Sequence, residues 1–467
     1  MVDARAGAPE IRWRRGGRVP AGPGFWGPLV RGEAFKLNAA RALERNAREF
    51  GDLVYLRIPG RDLLQFNHPE LVQEMLVRDA RHHHRNIVMQ RAKAILGEGL
   101  LTSEEPLHMR QRRLAQPAFH RQRIAAYGDV IARFTTELTA GWKHGEVRDA
   151  HEDMLLLALR IVGKTLFDLD VERDVRRISD AVDSFMGFLP LAFLPFPEKW
   201  MLSLPLPAMK KIRRGRAELD GLIYGMIRER RAEPGDRGDL LSMLLAAVDD
   251  EAEAGVAEKD RRMSDEQVRD ECLTAMLAGH ETGANAMGFA LWLLARHPEV
   301  QDALAEDCRR VLGGGAPSAA DYGALQFAER VFAESMRLYP PVWVTARTAA
   351  EEYEYRGIRI KKGTVLAAPQ FAIHRDARFY PEPLRFDPER FTDEAKGARP
   401  RMAYFPFGAG NRQCIGEGLA WMEGVLALAA IVQEWRLVPA DESEPELAPE
   451  VTLRPKAPVR VQVERRG

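Results

Sequence analysis

Three cysteines occur in this chain, Cys272, Cys308 and Cys414, and the last stands in the setting best suited to chemistry. It lies in Phe405-Pro-Phe-Gly-Ala-Gly-Asn-Arg-Gln-Cys-Ile-Gly-Glu-Gly418, and an apolar helical pattern follows over 419–431. Glycines without Cβ let the backbone come close to a flat or bulky partner. Loop amides and the N-terminus of the following helix direct partial positive charge at the sulfur, which favours a thiolate. A thiolate in an apolar, glycine-lined pocket is a good ligand for a soft or borderline metal such as haem iron. A lone cysteine acting as a small buried hydrophobe is the competing reading. A dinucleotide loop fails, because Gln413 stands where G-x-G-x-x-G needs its third glycine and no β-branched strand precedes it.

A second group is Ala278-Gly-His-Glu-Thr-Gly283, inside an otherwise apolar helical pattern. Glu281 is costly there unless paired or functional. Gly279 and Gly283 each weaken the helix by about 1 kcal/mol relative to Ala, and Thr282 can bend its hydrogen-bond ladder. An acid, a hydroxyl and a loosened turn make a proton-delivery site, with a purely structural kink as the alternative. His108 and Arg112 are four apart on one helix face, two donors that could hold the carboxylates of a porphyrin. Glu334 and Arg337 are three apart, a pair worth little if exposed. The run His82-His-His84 cannot turn three rings to one ion from regular structure, so a solvated loop is predicted.

The elements that must position these residues start with one long helix. Ser264 and Gln267 form a capping box, Met263 and Val268 a hydrophobic staple, and Pro298 marks the end. About 33 residues would span roughly 50 Å, and the apolar second half places it in the core. Further expectations are a helix over 35–50, a β-hairpin of 53–58 and 62–66, a short helix from Pro69, and one basic helix over 107–123. Residues 354–368 read as a small antiparallel sheet, and 451–454 with 459–463 as a C-terminal hairpin. Five prolines forbid a long helix in 185–207, whose Phe, Leu and Trp residues make it an apolar lid. The charged stretch 249–262 reads as a surface loop.

Composition bounds the function. The chain has 467 residues, 46% hydrophobic and 29% charged, with 68 Lys plus Arg against 68 Asp plus Glu. That balance is globular and gives no global field for nucleic acid. An odd number of widely spaced cysteines argues against disulfides and for a reducing cytoplasm. The absence of C-x-x-C-H excludes covalent c-type haem attachment. No signal peptide or spanning helix is legible, so a soluble protein without a transmembrane anchor is expected.

The pattern Phe407-x-x-Gly410-x-Arg412-x-Cys414-x-Gly416 resembles the haem-binding signature of the cytochrome P-450 family. Three more stretches resemble that family's motifs, in the family's order. His108 and Arg112 are similar to its aromatic-or-His, x-x-x, Arg motif for haem propionates. Residues 278–283 resemble its oxygen-activation motif, departing at Gly283, where the family carries a hydroxyl; we take this as a tuning of pocket shape. Glu334 and Arg337 match its Glu-x-x-Arg motif, and Arg390 the third member of that structural ion-pair triad. Arg347 and Arg412 match further propionate-binding positions. The likeness covers essentially the whole chain. It implies a single domain over 1–467, mainly α with small β-sheets (α+β), with a Pro/Gly-rich segment over 1–34 and the long helix over the haem.

What the resemblance implies is a haem-thiolate monooxygenase with non-covalent haem b and O2 as co-substrate. Cys414 would be the axial iron ligand, with Phe407, Gly416 and Gly279 among the residues around the cofactor. Thr282 and Glu281 would relay the protons that turn one oxygen atom into water, the other entering a C–H bond. Pocket residues implied by the resemblance include Ile95, Leu96, Phe185, Phe188, Ala278, Val342 and Val344, which suits a fatty acid, terpenoid or steroid. Electrons would come from an external ferredoxin or flavodoxin with an NAD(P)H-dependent reductase, docking on the basic run 110–123. A cytoplasmic monomer is expected, with an apolar lid that suits contact with a membrane surface. A peroxygenase or isomerase without an electron partner, and a non-catalytic haem sensor, are the alternatives.

Overall fold

Ser264 begins the longest helix among the described residues. Gln267 N–H donates to Ser264 Oγ at 3.2 Å and Ser264 N–H donates to Gln267 Oε1 at 3.1 Å. This capping box opens the helix Asp265–Arg296 of 32 residues, and Pro298 starts the next one, Pro298–Leu312. The computed structural model describes residues 7–13, 19–23, 38–58, 61–169, 178, 196–251 and 261–467. Residues 185–195 of the expected lid, including Phe185 and Phe188, and residues 252–260 of the charged stretch 249–262 lie outside the described residues.

The chain forms two compact units. One comprises Met1–Asn86, Glu329–Cys414 and Ser443–Ala457, and the other Ile87–Ala328, Ile415–Glu442 and Pro458–Gly467. In the first, Leu53–Ile58 and Arg61–Phe66 form the expected hairpin. Arg61–Phe66 then pairs parallel with Val365–Ala368, which pairs antiparallel with Thr345–Ala349, and His83–Arg85 forms the far edge. Leu53, Leu64, Phe66, Leu366 and Ala368 of this five-stranded sheet share a buried cluster with Phe405 and Ala409 of the cysteine stretch. The second unit is mainly helical, with a three-stranded sheet of Glu146–Asp149, Arg460–Arg465 and Trp435–Pro439. Among the described residues no helix is long and apolar enough to cross a membrane.

Four sequence expectations change. The basic stretch is two helices, Leu107–Ala115 and Arg121–Ala140, because Pro117 sits in a 3₁₀ turn between them. Only Tyr353–Tyr355 and Ile358–Ile360 make the small antiparallel sheet, since Val365–Ala368 joins the five-stranded one. The expected hairpin of 451–454 with 459–463 does not form: Leu453–Pro455 pairs antiparallel with Leu447–Pro449, and Arg460–Arg465 lies between two other strands. The histidine run is no solvated loop: His82 ends the 3₁₀ turn Ala80–His82, and His83 and His84 enter the edge strand His83–Arg85. His82 meets Glu351 at 2.6 Å, while the ring nitrogens of His83 lie 3.0 Å from the Met75 carbonyl and 2.7 Å from Tyr353 OH.

Candidate active site

Cys414 is exposed, whereas Cys272 and Cys308 are buried. Burial pushes the thiols of both buried cysteines up, that of Cys308 to about 12, which leaves them inert. The loop holding Cys414 is closed by its own backbone: Cys414 N–H donates to the Phe407 carbonyl at 2.9 Å. Gly408 and Gly410 have φ of 73° and 72°, in the left-handed region that favours glycine. At Gly410 a Cβ would also collide with the Leu76 carbonyl. Gly416 caps the helix Glu417–Glu434, which begins three residues after the cysteine. Phe407 and Arg412 are both half-buried on this loop.

The loop rests on a buried ion pair. Arg337 Nε and Nη2 donate to Glu334 at 2.6 and 2.8 Å, both side chains being fully buried. Arg337 also donates to the carbonyls of His374, Pro383 and Arg385. Arg390 Nε lies 3.5 Å from Glu334 Oε1, close enough to act by charge, without a hydrogen bond. His374 carries the brace to the cysteine loop, since its Nε2 accepts from Phe405 N–H at 3.1 Å. Burial pushes His374 down to about 3, so it stays the neutral ring that can accept. Tyr404 OH adds a second tie to the helix of Glu334 by donating to the Ala333 carbonyl at 2.9 Å. Sequence reading found the ion pair but missed His374, which carries no local signal.

On the long helix, every residue from Val268 to Ala295 is buried except Ala275, Ala278, Gly279 and Thr282. Those four fall on one face at helical spacing. They leave a narrow open stripe of small residues with one hydroxyl, on an otherwise enclosed helix. Thr282 Oγ1 donates to the Ala278 carbonyl at 2.6 Å, while Glu281 beside it is buried. Gly279 has a packing reason as well, because a Cβ there would lie 2.9 Å from Val162 of the helix Ala150–Phe167. Gly283 faces Glu423, whose Oε2 would be 3.1 Å from a Cβ at that position.

The basic residues divide between the units. Arg347 lies buried in the strand Thr345–Ala349, its Nη1 donating to the Ala346 carbonyl at 3.0 Å. His108 is buried on Leu107–Ala115 with Nδ1 3.1 Å from Glu105, and Arg112 is half-buried one turn on. The run 110–123 carries less free charge than its sequence implies. Arg110 and Arg113 pair with buried Asp249 at 3.0 Å each, and Arg123 pairs with Asp236 at 2.5 Å. Asp249 therefore belongs to a buried clamp, a correction at that residue to the surface loop expected there, while Asp250 and Glu251 are exposed.

A cysteine presented on a glycine-rich loop, braced by a buried Glu–Arg pair in a mainly helical fold, defines the haem-thiolate class of oxygenases. The family model described as Cytochrome P450 matches residues 20–463. Cyclooctatin synthase of Streptomyces melanosporofaciens is 38% identical over 410 residues, covering 86% of each chain. Pentalenene oxygenase of Streptomyces avermitilis is 33% identical over 409 residues, 87% of each chain. The crystal structure of the cytochrome P450DA heme domain superposes with a TM-score of 0.84 at 27% identity, covering 96% of this chain and 98% of that one. The chain belongs to the cytochrome P450 family, and it is a monooxygenase of the oxidoreductase class. Membership implies a thiolate-ligated haem and O2.

Proposed function

We propose that this P450 oxidises a terpenoid-class hydrophobic molecule, inserting one oxygen atom of O2 into a C–H bond. The observation that carries the proposal is the open stripe Ala275, Ala278, Gly279 and Thr282. It offers an apolar molecule a flat, small-residue surface with one hydroxyl beside it. Relatives named for cyclooctatin, cyclooctat-9-en-7-ol and pentalenene favour terpenoids over fatty acids or steroids. The residues present fit a haem. Cys414 is the exposed one of the three cysteines, on a loop whose glycines at 408 and 410 take left-handed backbone angles. By the family likeness, His108, Arg112, Arg347 and Arg412 are the cationic or hydrogen-bonding groups suited to its two carboxylates, and Phe407, Gly416 and Gly279 are further cofactor residues. When bound, the haem supplies the activation of oxygen that the side chains lack.

The chain's own residues do the rest. Thr282 holds a hydroxyl proton at the open face, and Glu281 renews it. Glu334, Arg337 and Arg390 keep the cysteine loop rigid, which fixes the sulfur in place. We read the whole chain as one catalytic domain of a cytoplasmic monomer, supplied with electrons by a ferredoxin or flavodoxin and its reductase. In the test, Cys414→Ser loses the red-shifted Soret band of the reduced carbon-monoxide complex, and the wild-type protein shows substrate-binding spectra with terpenoid hydrocarbons. A band retained by Cys414→Ser sinks the thiolate assignment. Binding of fatty acids or steroids in preference to terpenoids sinks the substrate class.

A further inference from the structure

Three polar atoms beside the first half of the long helix are buried without a hydrogen-bond partner: Glu271 Oε1, Thr274 Oγ1 and Gln111 Oε1. Thr135, Thr165 and Thr282 each donate to the carbonyl four residues back in their own helices, and Thr274 does not. An orphan of this kind is costly, and in folded proteins ordered water satisfies it. The three converge on the turn 97–100. Glu271 Oε2 accepts from Leu100 N–H at 3.0 Å, and Gln111 Nε2 donates to the Glu98 carbonyl at 2.5 Å. A Cβ on Gly99 would collide with Thr274 Oγ1.

The same turn walls a polar cavity of about 490 Å³, lined among others by Gly97, Glu98, Gln111, Asp220, Arg269 and Asp270. Arg269 is ion-paired to both Asp220 and Asp270, so this opening is charged and wettable. Glu271, Thr274, Ala278 and Thr282 follow one another at spacings of three, four and four residues, which puts them on one helix face. From Glu271 to Thr282 the rise is about 16 Å. The end of that line is the open stripe.

We propose that Glu271 and Thr274 form a water-filled proton inlet running from this cavity along one face of the long helix to Thr282. The inference rests on the monooxygenase reading, because only a reaction that consumes protons at Thr282 needs one. Burial, with the charge of Asp270 adding and the Leu100 N–H opposing, pushes Glu271 up to about 8. At neutral pH it therefore holds a proton to give. A proton that leaves it toward Thr282 is replaced from cavity water, so the acid is restored and no charge accumulates. Glu98, Glu266, Asp220 and Asp270, with Lys93, Arg216 and Arg269, are the charged groups around the cavity.

The test begins with infrared spectra of the full-length protein. The carbonyl stretch of protonated Glu271 is identified by its absence in Glu271→Gln, which keeps an acceptor for Leu100 N–H. On transfer to D2O that band shifts within seconds if water reaches the group. A band that is missing at neutral pH, or that stays unshifted for hours, overturns the inlet. In the holoenzyme, Glu271→Gln and Thr274→Val should each raise the solvent isotope effect severalfold and lower product formed per NAD(P)H. Wild-type values in both variants also overturn it. If Cys414→Ser keeps the thiolate spectrum, the monooxygenase reading fails while the infrared result still stands. A normal thiolate spectrum with an unmoved isotope effect sinks the inlet alone.

Discussion

Glu423 brings a carboxyl group against the long helix where position 283 has no side chain. Burial pushes it up to about 8, and its Oε1 has no hydrogen-bond partner. The departure at Gly283 therefore has a structural correlate: the hydroxyl missing from the family pattern would stand next to this acid. A Cβ at 283 would sit 3.1 Å from Glu423 Oε2, a contact the side chain can relieve by a small shift. Gly283→Ser should then raise stability by about 1 kcal/mol, from helix propensity and from a partner for the orphaned oxygen. Urea unfolding measures it. A loss of stability instead would mean that Glu423 is held too rigidly to yield.

The cysteine loop is a dependent element, because its shape is held by residues outside it. Arg337 ties Glu334 to three carbonyls, and one of these belongs to His374, which in turn accepts from Phe405. Removing one partner of a buried pair leaves the other charged and unpaired. Arg337→Ala should therefore cost about 3–5 kcal/mol in urea unfolding. Arg390→Ala should cost about 1 kcal/mol, since Arg390 reaches Glu334 only through charge at 3.5 Å. Equal losses in the two variants would contradict this division of labour. The long helix shows the opposite economy, since its N-terminus is closed by its own capping box.

Across the whole molecule, buried titratable groups set the pH window of stability. His280 and His374 are pushed down by burial to about 4 and about 3 from 6.5, so the unfolded chain binds their protons first. Stability from them is complete above about 6.5 and falls as the pH drops toward their folded values. Glu271 and Glu423 are pushed up by burial to about 8 from 4.5. The folded chain keeps protons that the unfolded chain has released, so stability falls as the pH rises from about 4.5 through 8. Urea midpoints should be highest between about pH 4.5 and 6.5, where the two slopes offset each other, and decline on both sides. The double variant Glu271→Gln with Glu423→Gln should flatten the alkaline limb; an unchanged limb would show that other groups set it.

By itself the sequence determined what depends on near neighbours in the chain. The Ser264–Gln267 box, the stop at Pro298, the Glu334–Arg337 pair and the glycine loop of Cys414 join residues a few positions apart, so spacing is enough to specify them. It misjudged strand partners, because an extended segment such as 365–368 or 460–465 carries its own alternation but not its neighbour's address. Only the tertiary structure decided that Asp249 neutralises Arg110 and Arg113, that Glu423 abuts Gly283, and that Glu271 lies buried behind the turn 97–100. The physical reason is burial. Desolvation and pairing change what an acid does, and both are set by residues far away along the chain.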